Sequence, residues 1–294
     1  MSTTSVLPTA LPAPAERGGY ANCLSAACGH AVAMMLRRQR VILVAIICML
    51  PVLLPLAIGF LSASDFADNG RQQFVRIAET IYLGVLTPLL ALFFATMLIG
   101  EEAEGQTMPY VLTRAIPRSA WVLGRFLAYV LVTGFIVCVA MGLTYTACTT
   151  LENLGWRMAE LRMLSHYLAA TVLGLVAYGA LTAFLGAISR RAILFGIALI
   201  YGWQTLALLA PGLLANLTIK YYVNKLIPSE AIVDSALRHT GDALSQLEIF
   251  NREIFLKEAA WSVLILMCIT AVFLALTVLT VRMRQYASVK VSGS

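Results

Sequence analysis

Charge is scarce in this sequence, and its distribution says more than its total. Only 12% of the 294 residues are Asp, Glu, Lys or Arg, against 60% hydrophobic, and the mean hydropathy is +0.83. A soluble globular domain carries about twice that share of charge to solvate its surface, so that class is excluded. Six stretches hold no charged residue at all: Val41 to Leu61, Thr80 to Gly100, Phe126 to Leu151, Tyr167 to Ser189, Ala192 to Ile219 and Ala259 to Val281. Each reaches the roughly 20 residues that a helix needs to cross a hydrocarbon core of about 30 Å. Hydrocarbon forces a spanning segment to satisfy its own backbone, and these runs are continuous rather than alternating, which selects helices over barrel strands.

Other absences narrow the function. There is no G-x-x-x-x-G-K-[ST] phosphate loop, so the chain has no visible means of hydrolysing ATP alone. Ion-coupled carriers keep Asp, Glu, Lys or Arg deep in the membrane; the six stretches have none, which weighs against a secondary transporter. The six cysteines form no Cys-x-x-Cys pair and no Met-rich repeat accompanies them, so Cys23, Cys28 and His30 make a poor copper site. His166 and His239 read as interfacial or solvated. No nucleophile and base share one depth, so a membrane-embedded enzyme is disfavoured. We therefore expect no catalytic residue, no metal and no cofactor in this chain. Residues 1–20 contain Pro8, Pro12 and Pro14 but no basic segment leading into an apolar one, which predicts a disordered tail rather than a secretory signal.

The charges that are present give an orientation. Residues 1–40, 101–125, 190–191 and 282–294 together hold 12 Lys/Arg and 4 Asp/Glu, net +8; residues 62–79, 152–166 and 220–258 hold 9 and 11, net −2. The positive-inside tendency then puts both termini in the cytoplasm, argued most strongly by Arg37, Arg38, Arg40 and the Arg190–Arg191 turn. The overall charge of +6 thus reflects topology, and no nucleic-acid partner is expected.

Several segments carry local signals. Leu24, Cys28, Ala31 and Met35 fall at helical spacing ahead of Arg37 and Arg38, as in an amphipathic helix lying in the cytoplasmic interface. Pro51, Pro55 and Pro88 predict kinks. The fourth span carries Gly174, Tyr178, Gly179, Ala183 and Gly186, with the small-xxx-small spacing that lets helices approach closely. Between the last two spans, Pro228 and Ser229 mark a helix start, Thr240-Gly241-Asp242 a break, and Ile249, Phe250, Ile254 and Phe255 the stripe of a second short helix. Most specific is the cytoplasmic loop after the second span. Glu101, Glu102 and Glu104 precede a helix-compatible stretch ending near Arg114, which complements the helix dipole at both ends; Pro117 then breaks it.

In that loop the chain resembles the ABC-2 type (type V) permease subunits of ABC transporters. Many of these carry, just after the second span, acidic residues, then Thr, a stretch close to Tyr-Leu-Leu-Thr-Arg-Pro, then Arg, and Gly followed by Lys or Arg. The matching positions are Glu102, Glu104, Thr107, Tyr110, Leu112, Thr113, Arg114, Arg118, Gly124 and Arg125; Ala115 stands where the family often has Pro, and Pro109 interrupts the short helix. The resemblance implies that the loop, with Glu101, is a coupling helix docking into a cytoplasmic ABC ATPase subunit, which binds ATP and Mg. It implies a second permease, copy or paralogue, and export more often than import. It also implies that the second and fifth spans face the pathway, with Tyr82, Thr87, Tyr201, Trp203 and Gln204 as candidates to meet cargo; an uncharged lining would suit a lipidic or amphipathic one. Such residues also serve simply as packing.

The expected fold is an all-α integral membrane protein of the plasma (bacterial inner) membrane. It has six transmembrane helices and both termini in the cytoplasm. After the tail of residues 1–20, residues 21–294 form one permease domain, with an interfacial helix at 21–40, a coupling loop at 101–120 and a helical external segment at 220–258. The expected function is an ATP-driven permease subunit; the alternative is a non-transporting membrane anchor or channel subunit that recruits a cytoplasmic partner.

Overall fold

The computed structural model describes residues 19–36, 38–61, 70–96, 117–149, 156, 158–189, 191–203, 206, 218–227 and 245–283. All regular structure among them is helical. The helices are α1 (Tyr20–Met35), α2 (Arg38–Leu61), α3 (Gly70–Ala95), α4 (Arg118–Cys148), α5 (Met158–Ile188), α6 (Ala192–Trp203), α7 (Ile219–Lys225) and α8 (Ser245–Met283). Four of them, α3, α4, α5 and the Lys257–Met283 part of α8, are long and apolar enough to cross a membrane; α2 and α6 hold shorter apolar stretches, Val44–Ile58 and Ala192–Trp203. The chain is thus an all-α multi-pass membrane protein.

The helices outrun the uncharged stretches that announce them. α3 begins at Gly70 rather than Thr80, α4 at Arg118 rather than Phe126, and α8 at Ser245 rather than Ala259. A charge marks where a helix leaves hydrocarbon, but its backbone bonds continue into the headgroup layer. This alters the segment before the last span. The expected second short helix there is not separate: it is the first part of α8, a single helix of 39 residues. The helix ahead of it is α7, which begins before Pro228; residues 228–244, with the expected break, lie outside the described residues. Thr218 caps α7, its Oγ1 accepting from the Tyr221 N–H at 3.3 Å. Lys225, at the far end of α7, lies 3.9 Å from Glu258 of α8. A hydrogen bond with Tyr221, more than that carboxylate, raises its pKa above the ordinary lysine value.

α3 is irregular for an identifiable reason. It is π-helical over Ala78–Leu86 and again over Ala91–Ala95, on either side of Thr87–Leu90. Pro88 has no N–H to donate, and its ring collides with the carbonyl four residues earlier; widening the helix relieves both. Backbone acceptors in this widened helix receive side-chain donors. Thr87 Oγ1 donates to Tyr82 O at 2.7 Å, Thr182 Oγ1 of α5 to Ala91 O at 3.0 Å, and the Tyr201 hydroxyl of α6 to Val85 O at 3.1 Å. α2, by contrast, runs as one helix through Pro51 and Pro55.

α5 packs against α3, α4, α7 and α8. The small residues of its sequence meet neighbours as their spacing predicts. A Cβ on Gly179 would overlap the ring of Tyr129, a residue of α4 with no exposed surface whose hydroxyl donates to Leu175 O at 3.0 Å. The outer surface is apolar, as hydrocarbon contact requires: Trp261, Leu264, Met267 and Met283 of α8 are all exposed. Gly179→Ala should force the Tyr129 ring out of its seat and cost about 1–3 kcal/mol. The expected readout is a lower thermal midpoint in detergent, by size-exclusion recovery after heating, whereas Gly142→Ala, where a Cβ meets nothing within 4 Å, should leave it unchanged.

Candidate functional site

The start of α4 is the point where the predicted coupling loop enters the bundle. Residues 97–116 lie outside the described residues, and with them Glu101, Glu102, Glu104, Thr107, Tyr110 and Arg114. Arg118, the first residue of α4, is described. Pro117 stands immediately before it in an extended conformation, the geometry that starts a helix without an N–H to leave unsatisfied.

From Arg118 onward the first two turns of α4 are gripped on two sides. On one side lies α1. Its Leu24, Ala27, Cys28, Ala31 and Met35 turn towards the protein, while Ala21, Asn22, Ser25, Ala26, Gly29 and His30 stay exposed. The contact is backbone-close at Gly124, where a Cβ would stand 2.7 Å from Leu24 O and 2.9 Å from the Ala27 Cβ. Only glycine fits there. Next to it, Arg125 is 4% exposed, with Nη2 3.6 Å from Met34 Sδ and its guanidinium 4.6 Å from the centroid of Trp121. A cation over an indole face keeps favourable electrostatics away from water. The apolar stripe of α1 thus packs on the start of α4.

On the other side lies α8. Arg118 Nη1 donates to the carbonyl of Arg282 at 2.9 Å. A guanidinium is a charge-assisted donor, so this bond ties the start of α4 to the described end of α8. One short stretch, Arg118 to Arg125, thus joins the entry of the 97–116 segment to the N-terminal helix and to the end of the last one. Arg118, Gly124 and Arg125 are motif positions in the sequence, but no periodicity reveals α1 and α8 as their partners.

The pathway candidates separate into two groups. Tyr82 and Thr87 are buried inside the bundle, at 0% and 1% exposure, and the Tyr82 hydroxyl shares a 2.7 Å hydrogen bond with Thr144 Oγ1 of α4. Tyr201 and Trp203 are partly exposed, at 37% and 48%. Gln204 lies outside the described residues. The uncovered face of α3 carries Arg76, Glu79, Thr80 and Val85 instead, and Glu79 Oε1 accepts from the Tyr167 hydroxyl at 2.9 Å. Glu79 stands one residue before the uncharged run begins. His166 bonds within its own helix, Nδ1 to Arg162 O at 2.8 Å. Among the described residues no three His, Cys, Asp or Glu side chains group so as to hold a metal ion.

Two substitutions probe the grip on α4. Gly124→Val should dislodge α1 and raise the maleimide labelling rate of Cys28, whose backbone N lies 3.1 Å from the Gly124 Cβ position, several-fold over the unsubstituted protein. Arg118→Ala should remove this hydrogen bond to α8 at a cost of about 1 kcal/mol. Hydrogen exchange of the last turn before Met283 should accelerate accordingly, with the middle of α8 unaffected.

The sequence model of one protein family, described as an ABC-2 family transporter protein, matches residues 33–205, more than half of the chain. The matched region runs from the end of α1 through α6 and includes the gripped start of α4. No curated protein matches the sequence. The chain belongs to the ABC-2 transporter family.

Proposed function

We propose that this chain is the membrane-spanning permease subunit of an ABC exporter, powered by a separate cytoplasmic ATPase that binds ATP and Mg. Family membership over residues 33–205 is the observation that carries this function. It is supported by the absence of a phosphate loop from the sequence and by the way the start of α4 is tied to α1 and α8. In this proposal six helices span the plasma membrane, counting α2 and α6 with the four long ones, and both termini are cytoplasmic. α1 lies at the cytoplasmic surface, and the working unit pairs two permeases, identical or paralogous, with two ATPases.

The proposed mechanism follows from stiffness. Closure of the ATPase dimer moves the 101–120 segment through Glu101, Glu102, Glu104, Thr107, Tyr110 and Arg114. Arg118 and Gly124 pass that displacement to α8 and α1, since close-packed helices shift as bodies rather than deform. The permease pair then exposes its shared pathway to one side and afterwards the other, with Tyr201, Trp203 and Gln204 as the residues of this region that are candidates to meet cargo.

The test purifies the chain with its candidate ATPase and compares it with the double substitution Glu102→Ala, Glu104→Ala. ATP hydrolysis should persist while cargo movement into proteoliposomes falls at least about tenfold, a loss of about 1.4 kcal/mol in coupling. Unaltered transport in the variant, or labelling of residues 101–116 from the outer face of intact cells, would overturn the proposal.

A further inference from the structure

Around Pro88, α3 has fewer backbone donors than acceptors. The Thr87 N–H bonds to Tyr82 O, five residues back, and the Ala91 N–H reaches Thr87 O, four back. Between those two bonds lie four carbonyls, Leu83 to Leu86, and three residues, Pro88 to Leu90, of which Pro88 has no N–H to give. Two donors therefore serve four acceptors. The Thr87 hydroxyl does not help, because it donates to Tyr82 O, which already has a partner. From α6 the Tyr201 hydroxyl reaches Val85 O at 3.1 Å. At least one of the four is left without a donor of its own, in a layer where water does not supply one.

This shortage falls on a part of α3 that its neighbours do not cover. Val85 is exposed and Gly84 and Leu89 are half-buried, whereas Leu83, Leu86 and Pro88 are buried. Gly84 has no side chain to screen the backbone, and a Cβ there would meet Glu79 O at 3.4 Å and nothing from another helix within 4 Å. Val85 stands well inside the uncharged run that begins at Thr80, roughly 7 Å from its start at 1.5 Å per residue. Thr80 and Ile81, one turn before, carry no charge, and neither does Tyr201. Arg76 and Glu79 precede them on the exposed face and oppose each other in sign, so neither an anion nor a cation is favoured there.

We propose that this uncovered side of α3, at Gly84 and Val85 beside Tyr201, binds uncharged lipid-like molecules that carry a free hydroxyl, which donates to the carbonyl left over at the Pro88 turn. The apolar body of the ligand lies against Ile81 and Val85 in the acyl layer. This rests on the permease function above and names the class of its cargo. A hydroxyl in hydrocarbon and a carbonyl without a donor each lack a partner, so the bond between them forms without displacing water from either.

The experiment uses the full-length chain in lipid nanodiscs, with a diazirine-bearing diacylglycerol as the photolabel. Mass spectrometry should find saturable label on residues 80–89 of α3. Unlabelled diacylglycerol should compete about tenfold better than its methyl ether, which has lost the donor. Pro88→Ala, which restores the missing N–H, should remove that preference, and Gly84→Leu, which covers the backbone, should reduce the label several-fold, both read on material with an unchanged size-exclusion profile. Equal competition by the ether in the unsubstituted protein, a preference that survives Pro88→Ala, or undiminished label in Gly84→Leu each overturn the site. With the candidate ATPase bound, diacylglycerol should stimulate ATP hydrolysis several-fold over the ether; binding without that stimulation marks a resident lipid and overturns the assignment as cargo. An ATPase that co-purifies with the chain leaves the permease function standing when lipid binding fails, and one that does not removes that function whatever the binding shows.

Discussion

Hydrocarbon offers no partner to a hydroxyl or a carbonyl, and this bundle is organised around finding those partners within the chain. Most buried threonines return their hydroxyl to the carbonyl one turn back, as Thr133 does to Tyr129, Thr144 to Ala140 and Thr171 to Tyr167. The tyrosines work between helices. Tyr82 joins α3 to α4, Tyr129 joins α4 to α5, Tyr167 joins α5 to α3, and Tyr201 joins α6 to α3. Three of these four links involve α3, the helix that Pro88 widens, and one of them, from Tyr201, ends on a carbonyl of the widened stretch. The polar interior thus centres on the most irregular helix.

That arrangement bears on how the molecule can move. Where a neighbour's side chain donates to a helix carbonyl, the two helices are held by a directional bond in a medium without competing water. α3 and α5 share Thr182 and Tyr167, so they are expected to travel together. α1, α4 and α8 share the cluster at Arg118 to Arg125. The Tyr82–Thr144 and Tyr129–Leu175 bonds tie α4 in turn to α3 and α5.

The sequence made much of this architecture legible and concealed the rest for physical reasons. Charge-free runs locate spans because burying a charge in hydrocarbon is costly, and all four long helices coincide with such runs. Helix ends were not legible, since a helix does not stop where its charges begin; hence α8 absorbs the expected second short helix. Residue type did not reveal which way Tyr82 and Thr87 face. Aromatic and hydroxyl side chains suit an internal hydrogen bond as well as a cargo surface, and only the rotation of α3 about its axis separates the two. Arg118, Gly124 and Arg125 stand out in the sequence as residue types. That Arg118 reaches the Arg282 carbonyl and Gly124 seats α1 depends on helices distant in sequence.

The unbroken length of α8 has a geometric outcome. Thirty-nine residues at 1.5 Å each make a rod of about 58 Å, nearly twice the hydrocarbon thickness. Arg118 fastens one end of it, and no proline or glycine interrupts it anywhere. Glu258, towards the other end of the rod, meets Lys225 of α7. A stiff helix held near both ends has no loose tip, so a tilt of α8 would carry α4 and α7 with it.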